Sequence, residues 1–336
     1  MKQTLRLAVL AIVTTIIGGC QSDAETTPKV IHQQHTVAAE TFSEAANELS
    51  ASVNRVCRNY SNAALIDAQQ AWQRAMQHWM FFQGREKGSE NALALSWDIQ
   101  FWPDKKNTTG RKLTQLLEQD VQWTATLLSE QSVAVQGLGA AEWFLFEHSE
   151  LLKQPKGCEL AIAVGQRITQ NAIQLEAAWQ SNPWQQLTPQ LALVEYLGAL
   201  SNQLDYSMKK LTRPLGKPGF PKPYQAESWR SGTSLANLKF SVEAMQQLYI
   251  AEGKGLDALL RSKEHFSTAD RIALRFQTLL DSWPTEPSMG EMLTTREGYR
   301  SLLKISNSLE YIQIALQDDV APELGIVVGF NATDGD

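Results

Sequence analysis

The chain has 336 residues, is 43% hydrophobic and carries a formal net charge of −6. That length and content suit a folded protein of one or two domains. The acidic balance argues against nucleic acid as a partner, because a phosphate backbone selects a basic face.

The first twenty residues read as an export signal. Lys2 and Arg6 are followed by an apolar run from Leu7 to Ile17 and then by Ile17-Gly18-Gly19-Cys20. The apolar run is too short to span a bilayer as a helix. A cysteine in that place marks a bacterial lipobox, in which the signal is cut before Cys20 and the thiol carries lipid. A plain signal peptide cut nearby would leave Cys20 an ordinary thiol. The lipobox reading places the protein in the periplasm, tethered to a membrane by its lipid. Gln21, where an aspartate would signal inner-membrane retention, points to the outer membrane. Removing the signal takes away Lys2 and Arg6, so 28 basic residues face 36 acidic ones, a net of −8. No later apolar run is long enough to span a membrane.

Residues 21–35 are polar and mixed, which predicts a flexible spacer. Beyond it, helix signals dominate. Ala64, Leu65, Ala68, Ala71, Trp72, Ala75, Trp79 and Phe82 fall three or four apart, the stripe of an amphipathic helix that Gly84 ends. The same reading predicts helices near 36–58, 61–83, 111–130, 134–148, 158–181, 188–211, 234–262, 267–282 and 290–319. Ser61, Thr188-Pro189 and Ser267 to Asp270 mark starts, and Pro322 is read as the stop of the last helix. The expected fold class is all-α. Helices of this number exceed one four-helix bundle and predict two packed bundles of up-and-down type, 36–155 and 156–336. Two glycine- and proline-rich stretches, 84–110 and 212–233, interrupt the pattern. Their aromatics, Trp97, Phe101, Trp102 and Trp229 among them, predict that they are packed down.

With Cys20 taken by lipid, Cys57 and Cys158 remain. Two thiols in an oxidising compartment are expected to be bridged. The chain lacks the His-Glu-x-x-His of common zinc peptidases, the serine nucleophile elbow, the P-loop and the dinucleotide glycine pattern. His32 and His35 fall in the expected spacer, His78 and His265 stand alone, and His148 follows Glu147 at a helix end. None of these forms a metal signature. Val133 to His148 is more informative. Gly137 and Gly139 are costly inside an apolar helical run, and they leave room for a close neighbour or a ligand. Glu142 stands among Leu138, Ala141, Trp143, Leu145 and Phe146. A carboxylate so placed is expected to be partly buried and to need a partner. Either an arginine such as Arg85 or Arg111 pairs with it, or it is a ligand site. The chain ends in Asn331, Thr333, Asp334 and Asp336, oxygen donors suited to a hard cation if the apolar run Ile326 to Phe330 orders them, and otherwise a solvated tail.

At these residues the chain resembles the imelysin-like family of bacterial envelope proteins. The likeness rests on Ala71-Trp72 with Trp79, Trp102-Pro103-Asp104 with Gly110-Arg111-Lys112, Gly137 to Phe146, Trp229 to Ser234, and Gly329 to Asp336. The pieces span roughly 36–336 in order. The resemblance implies two helical bundles with a site at the cleft between them, and a link to iron acquisition. The family was once labelled a metallopeptidase group, with Gly-x-His-x-x-Glu as its metal motif. That motif falls on Gly137 to Glu142, where glycine and glutamate match and Gly139 stands in place of the histidine. The motif's nitrogen ligand is therefore missing, which tells against a peptidase. The function this implies is a non-enzymatic lipoprotein of iron or other metal uptake. It would hold iron, another divalent metal, an iron chelate or a partner among the envelope iron-uptake proteins. Glu142, Gly137, Gly139, Arg230, Ser231, Asp334 and Asp336 would line the site, and Arg230 would suit an anionic chelate. The alternatives are a metal-dependent peptidase, and an interaction module using the aromatics at 97–102.

Overall fold

The computed structural model describes residues 23–326. Among them the chain is all-α, with a single isolated bridge between Lys217 and Phe220. The principal helices are α1 (Asp23–Arg58), α2 (Asn62–Trp79), α3 (Thr108–Leu117), α4 (Leu138–Glu142), α5 (Pro155–Ala178), α6 (Pro189–Leu215), α7 (Ser234–Ile250), α8 (Leu256–Ser262), α9 (Phe266–Asp281) and α10 (Arg296–Ala315). Two starts coincide with their predicted caps. Ser61 Oγ accepts from the Ala64 amide and Thr188 Oγ1 from that of Leu191, each satisfying a donor that the first turn leaves open.

The long α1 packs along α2 and α5, and α4 closes this group against α2 and α5. Helices α6, α7, α9 and α10 form a second four-helix group, and α1 and α2 reach across to α6 and α7. Among the described residues no helix is long and apolar enough to cross a membrane.

Several expected boundaries move. The spacer expected over 21–35 is helix from Asp23 onward. Ile31, His35, Ala39 and Phe42 continue the apolar stripe backward through a polar segment, and all four are buried. His32 reaches the Trp179 carbonyl at 2.9 Å, and His35 donates to that of Ile31 at 2.6 Å, so both serve packing. The boundary expected at 155/156 falls at the start of α5, which packs on α1; packing divides the chain between α5 and α6 instead. The helix expected over 111–130 breaks into α3 and Ala125–Ser129, because the buried Trp123 folds back to donate to the Leu116 carbonyl. The one expected over 234–262 breaks at Ala251–Gly253, whose backbones are left-handed. Pro322 does not stop the last helix. It sits in the first turn of Ala321–Leu324, and Gly325, at φ +70°, ends that turn.

In the 84–110 stretch Trp102 is buried whereas Trp97 is half-exposed. Cys57, in the last turn of α1, is disulfide-bonded to Cys158, in the first turn of α5, with 5.4 Å between their Cα atoms.

Candidate functional site

The two bundles meet at Glu142, the last residue of α4. Gly137 lets α4 begin there: a Cβ at this position would run into the carbonyls of Asp98 and Ile99. A Cβ on Gly139 would meet nothing closer than Gln100 Oε1 at 3.9 Å. Position 137 therefore requires glycine for close approach, and position 139 does not.

Glu142 is buried, but neither Arg85 nor Arg111 pairs with it. Its Oε1 accepts from the Ser231 amide at 2.9 Å and from the Ser231 hydroxyl at 3.0 Å. Ser231 belongs to the second half of the chain, in the loop 226–233 that leads into α7. The hydroxyl has one proton, for which the Ser228 carbonyl, also at 3.0 Å, competes with Glu142; behind it stand further polar groups. Asn237 Nδ2 donates to Thr233 Oγ1 at 3.1 Å, and Thr233 Oγ1 lies 2.8 Å from Ser231 Oγ. With the Ser231 proton directed at Glu142, this hydrogen-bond chain polarises toward the carboxylate. Asn237 also donates to Ser228 Oγ at 3.0 Å, where Ser228 is held at φ +53°.

Arg230 points the same way but is already spent. Its Nε donates to Glu147 and its Nη2 to Asn107 Oδ1 at 2.6 Å, while the guanidinium covers the Trp229 ring at 4.5 Å. Asn107, left-handed at φ +48°, also caps α3 by accepting from the Gly110 amide. Asp104 accepts from the amides of Thr108 and Thr109 at 2.6 and 3.0 Å. A cavity of about 20 Å³ lies beside Glu142, lined by Asp104, Gly139, Ser228 and Arg230 among others. It has room for one water, not for a chelate.

A metal implied by the family motif does not fit the residues present. Glu142 Oε1, both Asp104 oxygens and Glu147 are engaged by protein donors, and Gly139 supplies no nitrogen. Among the described residues no group of three His, Cys, Asp or Glu side chains is gathered to hold an ion. Asp334, Asp336 and Cys20 lie outside the described residues. His148 packs on Trp143 and faces Glu150 at 3.1 Å.

The ion pair of Lys210 and Glu227 was not anticipated. It lies at 2.9 Å with both side chains buried and carries the start of the Ser231 loop. Its sequence signal is a lysine on the stripe Leu200, Leu204, Ser207, Leu211 of α6, mostly apolar and all of it buried. Asn107 and Asn237 carry no comparable signal.

Burial pushes the Glu142 carboxyl up to about 6, against the opposing pull of Arg230 and the Ser231 hydrogen bonds; Glu227 adds to the rise. The folded protein thus holds a proton that the unfolded chain has lost between pH 4.5 and 6. Stability falls as pH rises through that window, by about 2 kcal/mol from this group. Glu142→Gln keeps the shape without the charge. Urea unfolding should show its stability relative to the parent rising by about 2 kcal/mol between pH 4.5 and 7.5. A gap that does not change with pH would refute the buried-carboxylate account.

No curated protein matches the chain in sequence. The fold is similar to the crystal structure of an imelysin-like protein from Psychrobacter arcticum 273-4, with a TM-score of 0.74 and 18% identity over 92% of this chain and 99% of that one. It is also similar to the crystal structure from Parabacteroides distasonis ATCC 8503 of a protein named as an iron-regulated protein A precursor. There the TM-score is 0.65 and the identity 14%, over 89% of this chain and 97% of that one. The sequence profile of the Imelysin family, labelled also as a peptidase group, matches residues 32–316. With most of its length matched and its bundles arranged as in these structures, the chain belongs to the imelysin family.

Proposed function

We propose that this protein is a non-enzymatic lipoprotein of the bacterial envelope that serves iron or other metal uptake by binding. The observation that carries the non-enzymatic half is the use of Glu142. Its carboxylate ties α4 to the Ser231 loop, with Gly139 in the motif's histidine place. Metal-assisted peptide cleavage needs ligands that leave an open coordination position for an activated water, and this donor set provides none. The uptake half rests on the family and on the name of the Parabacteroides distasonis protein. Because the cavity beside Glu142 admits only a water, a chelate or protein partner would engage the outside of the junction beside the exposed Trp229, and would not enter the Glu142 cavity.

Three measurements test this reading. Deleting the gene should slow growth under iron limitation and leave iron-replete growth unchanged; equal growth of the two strains under limitation would count against it. Cys20→Ala should release the protein from membranes. Protein from iron-fed cells should carry less than one equivalent of iron or zinc, with or without Glu142. A stoichiometric metal lost in Glu142→Gln, together with chelator-sensitive peptide cleavage, would establish the peptidase alternative. Position 139 offers a sharper check because a Cβ there meets no neighbour closer than 3.9 Å. Gly139→His restores the nitrogen and should bind zinc at least about tenfold more tightly than the parent in calorimetry. Equal affinity in both would show that residue 139 is not what sets metal binding here.

A further inference from the structure

The hairpin that follows α6 carries the most exposed large hydrophobic side chain among the described residues. Phe220 is 75% exposed, yet its backbone is held firmly. The Phe220 amide donates to the Lys217 carbonyl at 2.8 Å, and the Lys222 amide to that of Pro214 at 2.7 Å. Pro218 and Pro221 fix the backbone on either side. Gly216 and Gly219 turn the chain at φ +57° and +81°. A rigid aromatic tip loses little conformational entropy on docking. Five basic residues and no acidic one stand between Asp205 and Glu227. Lys209 and Lys210 pair with those two acids. Lys217 and Lys222 flank Phe220 and are exposed, and among the described residues no carboxylate pairs with them.

A cleft of the opposite character lies between the bundles, where α1 and α2 face α7. Its volume of about 380 Å³ is ample for an aromatic side chain. Val37, Ala38, Phe81, Phe240 and Ala244 form apolar walls, and Val37 and Phe240 remain exposed there. Glu243 and Glu252 also line it, and among the described residues no lysine or arginine does. His78 adds no positive charge at neutral pH, because burial lowers its pKa. Lys239 stands 3.7 Å from Glu243, but both side chains reach solvent, and such a pair yields to a competing lysine at small cost.

Phe220 is not among the residues lining this cleft, so the two features can meet only between copies. The aromatic tip matches the apolar walls, and its flanking lysines match the two glutamates. We propose that the Phe220 hairpin of one copy docks in the α1–α2–α7 cleft of a second copy. Because hairpin and cleft are different parts of the surface, the contact is heterologous. Each added copy leaves one hairpin and one cleft free, which builds a row or a closed ring. The proposal is independent of the reading of the Glu142 junction.

Sedimentation of the purified protein over a concentration series tests it. The parent's average mass should rise with concentration, and added salt should weaken the association. Phe220→Asp should weaken it about tenfold or more, and so should Glu243→Lys combined with Glu252→Lys. All three side chains reach solvent, so both variants should keep the parent's melting temperature. Mixing them is the decisive step. The first variant keeps its cleft and the second its hairpin, so an equimolar mixture should form a one-to-one pair that grows no further. A parent that stays monomeric at every concentration would overturn the proposal. So would self-association that either variant leaves intact, or a mixture no heavier than its separate components.

Discussion

Lys210→Met is expected to cost about 3–5 kcal/mol of stability, because it strips the partner from a buried carboxylate. Lys210 and Glu227 are each 2% exposed, with Nζ 2.9 Å from Glu227 Oε2. Gln83 Nε2 donates to the other carboxylate oxygen, and Lys210 Nζ lies 3.2 Å from Met80 Sδ. Burial lowers the Lys210 pKa, and the Glu227 charge opposes that shift. The pair's net worth is small, because desolvating two ions consumes most of their attraction. Removing one member is different: Glu227 would stay buried with a charge and only an amide to hold it. The test is a cycle in urea. Lys210→Met alone should lose 3–5 kcal/mol, and Lys210→Met with Glu227→Gln should recover at least about half of it. A single variant within 1 kcal/mol of the parent would mean that water reaches Glu227. Because the pair anchors the loop that delivers Ser231, Lys210→Met should also reduce the pH dependence assigned to Glu142.

Opening the Cys57–Cys158 bond should cost about 4–5 kcal/mol. The bridge closes a loop with a sequence separation of 101 residues, and constraining so long a segment removes a large entropy from the unfolded chain. It also joins the end of α1 to the start of α5, the helices whose packing forms the first bundle. Both cysteines lie in helical turns that need no displacement to meet. Paired unfolding curves of the parent with and without reductant, and of Cys57→Ser with Cys158→Ser, measure it. Coincident midpoints in all of them would show that the pairing adds nothing to stability.

The expected helices were legible because their signal is local. Ala68, Ala71, Trp72, Ala75 and Trp79 repeat at the helical period and are all buried on one face of α2. Glu142 was legible as a buried carboxylate for the same reason, since its neighbours within one turn are apolar. The disulfide was legible because reading Cys20 as the lipid-bearing cysteine left Cys57 and Cys158 to pair. Breaks were harder to see. The helix predicted over 234–262 keeps its apolar period across Ala251–Gly253, and only left-handed backbones at three successive residues interrupt it.

By itself, the sequence determined an all-α chain, the pairing of Cys57 with Cys158, glycine at 137 and a buried acid at 142, because each depends on residues within a turn or on simple counting. Only the tertiary structure decided which groups answer the buried charges. Glu142 is met by Ser231, 89 positions away, and not by Arg85 or Arg111. Arg85 faces His35 and Gln203, Arg230 is taken by Glu147 and Asn107, and Lys210 is matched by Glu227. The helicity of 23–35 was decided there too, since a polar segment folds only when a long neighbouring helix buries its sparse apolar stripe. Hydrophobic periodicity is written along the chain, whereas the partner of a buried polar group is set by which surfaces packing brings together, and that carries no local pattern.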